Sequence, residues 1–120
     1  MTYEELVKKV KQVIKKIDTR AIKQHAAIEI DIEGEGEGAF YVELDKDKAT
    51  VEPFEYYDND CKIRIGSDVL MELISGKVDA EKVLKEEKIN IDGNIEKLIE
   101  FTGLLKTSKD KKERSRKDGK

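Results

Sequence analysis

The chain has 120 residues, of which 42% are charged and only 6% aromatic, with one cysteine, one histidine and a net charge of -3. That length fits one domain with a real core, and the core must be built from Ile, Leu and Val. No apolar run approaches the roughly 20 residues of a membrane span, and a lone cysteine excludes an internal disulfide.

The first residues, Met-Thr-Tyr-Glu-Glu-Leu, lack the basic-then-apolar order of a signal peptide, so a cytoplasmic protein is expected. Charge is unevenly spread. Residues 106–120 hold eight Lys or Arg against three Asp or Glu, while residues 1–105 hold 16 basic and 24 acidic side chains. Two parts are therefore expected: an acidic domain over 1–105 and a basic tail over 106–120. The tail has no apolar residue to bury and is read as disordered. Its expected role is a solubilising terminus, the alternative being a weak contact with anionic lipid or nucleic acid, and no specific nucleic-acid partner is expected.

An amphipathic helix is predicted over residues 3–17. Leu6, Val10, Val13 and Ile17 form its stripe, widened by Val7 and Ile14, and Lys8, Lys9, Lys11, Lys15 and Lys16 face water. Thr2 followed three residues later by Glu5 is a capping-box pattern. Packing on a sheet is the favoured role, and contact with an anionic membrane the alternative.

Two strands follow. Ile28, Ile30 and Ile32 alternate with Glu29, Asp31 and Glu33, and Phe40, Val42 and Leu44 alternate with Tyr41, Glu43 and Asp45. This is the pattern of an antiparallel sheet with one dry and one wet face. The turn Gly34-Glu35-Gly36-Glu37-Gly38 is no phosphate loop, because its carboxylates repel phosphate and a strand follows it. A mobile hairpin tip is expected. A third strand, Ala49 to Phe54, contains Pro53 and should be an edge or end there. Tyr56 to Asp60 form a crossover loop that lacks the glycine and distant glutamate of a calcium loop. Cys61, Ile63 and Ile65 alternate with Lys62 and Arg64 in a fourth strand, whose basic side chains could pair with Glu29 and Asp31 if the strands are neighbours.

The stretch from Ser67 to Leu105 reads as helix, short helix, strand, helix. Ser67 and Gly76 bracket the first helix, Asp79 caps the second, Ile89 and Ile91 mark the strand and Gly93 stops it. Asn94 caps the last helix, with Ile95, Leu98, Ile99, Thr102 and Leu105 as its stripe. Both longer helices carry surplus apolar surface: Val69, Leu70, Met71, Leu73 and Ile74 in one, Phe101 and Leu104 in the other. A helix that is apolar on two sides needs a second cover, either a closed core, a homodimer interface or an apolar cavity.

The ordered features Leu73-Ile74-Ser75-Gly76-Lys77-Val78-Asp79 and Lys88-Ile89-Asn90-Ile91-Asp92-Gly93-Asn94 resemble the sterol carrier protein type two family of lipid-binding domains, over roughly residues 3 to 105. The family usually has an aromatic residue near Leu84 and a glycine where this chain has Glu87. The resemblance implies an α+β fold with a five-stranded, mixed, largely antiparallel sheet and helices on one face. It makes the first and fourth strands neighbours. It also implies a tunnel between sheet and helices, with Phe40, Val42, Leu70, Met71, Leu73, Ile74, Val83, Leu84, Phe101, Leu104 and Leu105 as lining. The ligand would be a fatty acid, acyl-CoA, phospholipid or sterol, with acyl lipids preferred, and no cofactor or metal. An enzyme is not expected: one histidine, His25, forbids a histidine-rich metal site, and Cys61 sits in a buried phase. The alternative is a homodimeric interaction module or an accessory domain of an enzyme.

Overall fold

A computed structural model of the chain describes residues 1–105; the basic tail lies outside the described residues. The capping box is complete. Thr2 Oγ1 accepts from Glu5 N at 3.2 Å, and Glu5 Oε1 accepts from Thr2 N at 2.9 Å. Helix α1 runs Tyr3–Ile14, a turn shorter than the apolar stripe suggests. Tighter bonds from Lys16 N to Val13 O and from Ile17 N to Ile14 O end it, yet Ile17 is still buried. A single 3-10 turn at Thr19–Ala21 leads to the sheet.

Strands β1 (Ala26–Glu33), β2 (Gly38–Asp45), β3 (Lys48–Glu52), β4 (Cys61–Gly66) and β5 (Ile89–Gly93) form one sheet in the order β3-β2-β1-β4-β5. The β1–β4 pair is parallel and the other pairs are antiparallel. Register brings Ile28 beside Val42 and Cys61, Ile30 beside Phe40 and Ile63, and Ile65 beside Ile89. These residues make one apolar face. Helices α1, α2 (Ser67–Ile74), α3 (Ala80–Lys85) and α4 (residues 95–105) cover it and share one core with it.

The opposite face is not uniformly wet. Because β3 lies at one edge and β4 beyond β1, the connection between them must cross β2 and β1. It crosses on the side away from the helices. The Tyr56 ring stacks on Tyr41 at 4.6 Å, Tyr56 N donates to Glu29 Oε1 at 2.8 Å, and Ala27 N donates to Asp60 Oδ2 at 2.7 Å. Ala27 and Glu29 are therefore buried. Asp60 of this loop thus serves the backbone of β1.

Several local expectations change. Gly66, not Ser67, occupies the cap position of α2, and no side chain caps that end. The β1–β2 tip is held against α1: the Met1 ammonium pairs with Glu35 at 3.0 Å, and a Cβ on Gly36 would lie 2.5 Å from Leu6 Cδ1. Asp79 and Asn94 do cap α3 and α4, accepting from Lys82 N at 2.9 Å and Glu96 N at 3.0 Å. In α4 the buried stripe is Leu98, Phe101, Thr102 and Leu105, while Ile95 is 41% exposed.

Helix α3 ends in paired bonds from Glu87 N to Leu84 O and from Lys88 N to Val83 O, with Glu87 at φ 58. This closure favours glycine, since a Cβ is strained in the left-handed region. Glu87 thus holds the glycine conformation without being glycine. Glu87→Gly is expected to raise the unfolding free energy by about 0.5–1 kcal/mol in urea denaturation; a loss would show that the glutamate side chain makes up for the strain.

Candidate functional site

The space between the apolar sheet face and the helices is where the predicted lining residues meet. Phe40, Val42, Leu70, Leu73, Ile74, Val83, Phe101 and Leu105 are buried in one cluster, and Met71, Leu84 and Leu104 are half-buried against it. Strand β2 supplies Phe40 and Val42 because its even positions face the helices. Helix α2 supplies Leu70, Leu73 and Ile74 on one face and leaves Val69 and Met71 partly uncovered.

A cavity of about 320 Å³ opens at the edge of this interior. Ala21, Ile22, Lys23 and Gln24 of the connection into β1 form one wall, Glu100, Gly103 and Leu104 of α4 another, and Leu44 the floor. Gln24 Nε2 donates to Glu100 Oε1 at 2.9 Å across the rim. Lys97 Nζ donates to His25 O at 2.9 Å and ties α4 to the same connection. The volume lies at the lower end of the roughly 300–1,000 Å³ of small-molecule sites. Leu104 is the predicted lining residue that the cavity includes. Leu44 follows the Phe40–Val42 phase and was legible; Ile22, in an irregular segment, carried no periodic signal.

The residues that could do chemistry are engaged elsewhere. Cys61 is fully buried, and burial pushes its thiol up to about 11, so it is no ready nucleophile. His25 Nε2 lies 2.7 Å from Glu43 Oε2, on the sheet face opposite Cys61. Among the described residues no group of three metal-ligating side chains occurs. No helix among them is long and apolar enough to cross a membrane.

The outer sheet face holds a buried carboxylate, Glu29. Lys62 Nζ stands 3.5 Å from Glu29 Oε2 and 3.4 Å from Asp31 Oδ2, so one lysine serves both acids, and Arg64 takes no part. Glu29 Oε2 and Asp31 Oδ1 are buried without a hydrogen-bond partner. Burial, with the neighbouring Asp31 adding to it, raises the Glu29 carboxyl above its ordinary value. Asp31 first, then Glu29, raises Lys62.

The model of the SCP-2 sterol transfer family matches residues 4–106. The chain belongs to that family. Comparison with curated proteins gave no match. Among solved structures, this SCP-2 domain is similar to palmitated SCP2L2 from Aedes aegypti, with a TM-score of 0.65, 14% identity, and coverage of 88% of this chain and 95% of that one. Sterol carrier protein 2 from Yarrowia lipolytica in its apo form superposes with a TM-score of 0.55 at 22% identity, covering 84% and 79%. The sec-alkylsulfatase Pisa1 from a Pseudomonas species contains a similar part, with a TM-score of 0.69 at 21% identity over 78% of this chain. The SCP-2 domain spans 15% of that sulfatase's length. These likenesses establish the five-stranded α+β fold.

Proposed function

We propose that this SCP-2 domain is a non-catalytic carrier that binds and transfers an acyl lipid between its sheet and helices. The observation that carries the reading is the cavity at Ile22, Leu44 and Leu104, which is apolar within and polar at its rim. Family membership supports the lipid, and the palmitated mosquito relative supports an acyl chain. The chain would enter past Leu104 toward Leu44 and the Phe40–Val42 face, each buried methylene contributing about 0.8 kcal/mol. A carboxylate or other anionic head would stay at the rim beside exposed Lys23, in water, where it need not be desolvated.

Gly103 offers the test. Among the described residues, a Cβ there meets nothing within 4 Å, and the residue lines the cavity. Gly103→Phe should fill the mouth and weaken palmitate uptake about tenfold or more, with the melting temperature held. Gly103→Ala should bind as before. Unchanged uptake by the phenylalanine variant would place the lipid elsewhere. A second reading, an accessory module of a larger enzyme, is favoured by the match within the alkylsulfatase; it expects a domain that stays lipid-free through the same incubation.

A further inference from the structure

Strand β5 ends the sheet, and among the described residues no strand pairs with its outer side. Alternate residues of such a strand leave their N–H and C=O groups without a ladder partner. Charged side chains usually keep edge strands apart, but here their order favours pairing. With the lysine before it, β5 reads Lys88-Ile89-Asn90-Ile91-Asp92. Turned about a two-fold axis at Asn90, this segment opposes itself in antiparallel register. Lys88 then faces Asp92 of the partner subunit, Ile89 faces the partner's Ile91, and Asn90 faces the partner's Asn90. We infer that two copies of the chain pair along β5, joining their sheets into one across an isologous two-fold interface.

Both faces of the sheet support this register. On the outer face Glu29 stands beside Lys62 and Lys62 beside Asp92, so the partner's Lys88 continues a row that alternates in sign. On the inner face Ile63 stands beside Ile91 and Ile65 beside Ile89, and the partner's isoleucines prolong both apolar rows. Ile91 is only half-buried, and a groove of about 290 Å³ along the edge, bordered by Lys62, Arg64, Asn90, Ile91 and Asp92, gives the second strand room. Lys88 lies 3.4 Å from exposed Glu86, a surface contact that the partner's carboxylate can join or replace. Parallel pairing would set Lys88 on Lys88 and Asp92 on Asp92, and sliding the antiparallel register by two residues loses both charge pairs. Like charges directly opposite are destabilising, so one register stands out. The other edge strand has a similar order, Lys48-Ala49-Thr50-Val51-Glu52. There, however, Val51 is already buried and α1 packs against the strand. Phe54 N takes the Glu52 carbonyl at 2.9 Å, and Pro53 has no N–H to give. The β5 edge is therefore the one left to pair.

The test is sedimentation velocity of the full chain over a concentration series. So short an interface makes a weak dimer, expected to appear above about 10 μM. Lys88→Asp and Asp92→Lys each turn both charge pairs into like-charge pairs, and each should weaken association about tenfold or more. An equimolar mixture of the two variants should regain wild-type association, because every charge that clashes within one variant is complementary between them. Lys48→Glu, on the β3 edge, should associate as wild type does. All of these sites are exposed, so melting temperatures at dilute concentration should stay near that of wild type. Wild type that remains monomeric to about 1 mM, single variants that associate as wild type does, a mixture no stronger than its components, or an equal loss with Lys48→Glu would each overturn the inference. None of these residues lines the cavity beside Ile22, Leu44 and Leu104, so the outcome is independent of palmitate uptake.

Discussion

Phe40→Ala is expected to lower the unfolding free energy by about 3–5 kcal/mol. Phe40 is fully buried, lies on β2 opposite Ile30, and is among the largest side chains that the core encloses. Truncation removes its burial and leaves a void that a sheet paired on both sides cannot collapse to fill. The denaturant slope should be unchanged, because the surface exposed on unfolding hardly differs. A loss below about 1 kcal/mol would mean that the helices close over the site and the core is not packed as described. The same variant reports on function. If the acyl chain reaches this face, saturating palmitate should restore part of the lost stability by binding the folded state alone.

Glu29 should govern how stability depends on pH. Its carboxyl titrates above its ordinary value in the folded protein, so the folded state holds that proton more tightly than the unfolded chain. The contribution is complete below the unfolded value and is lost as pH rises through the folded one. Glu29→Gln keeps an acceptor for Tyr56 N and supplies a donor toward Asp31, so the variant should lose this decline and be more stable than wild type at neutral pH. Glu29→Ala strands the Tyr56 amide and should cost about 1–3 kcal/mol. Hydrogen bonds from Thr2, its backbone amide first, hold Glu5 below its usual value, so its contribution is lost as pH falls. The difference between wild type and Glu29→Gln therefore isolates the carboxyl at position 29. Parallel pH profiles for the two proteins would contradict the burial argument.

Much of this fold was legible because local chemistry and global packing agree. Thr2 with Glu5, Asp79, Gly76, Gly93 and Asn94 mark element ends through side-chain acceptors and left-handed backbone, which act within a few residues. Alternation placed Phe40, Val42, Ile63 and Ile65 on the inner face without any knowledge of strand order. What escaped depends on contacts distant in sequence. The two-period pattern puts Glu29 in water, and only the crossover from β3 to β4 covers it. Glycine spacing describes the β1–β2 tip as free, but the Met1 ammonium and Leu6 fix it from α1. Ile95 fits the apolar phase of α4, yet it sits at the first position, before the helix meets the core. The cavity wall at Ile22 comes from an irregular segment, for which no periodicity exists to read.

An acyl lipid held between the sheet and the helices is the central proposal. Native mass spectrometry of the purified full chain, before and after denaturation and lipid extraction, tests it most directly. The carrier reading predicts a folded species heavier than the polypeptide by one acyl lipid, released on denaturation, and uptake of palmitate at one per chain after delipidation. A folded species at the bare polypeptide mass, unchanged by fatty acid, acyl-CoA or sterol, would contradict it and leave the interior as a closed core.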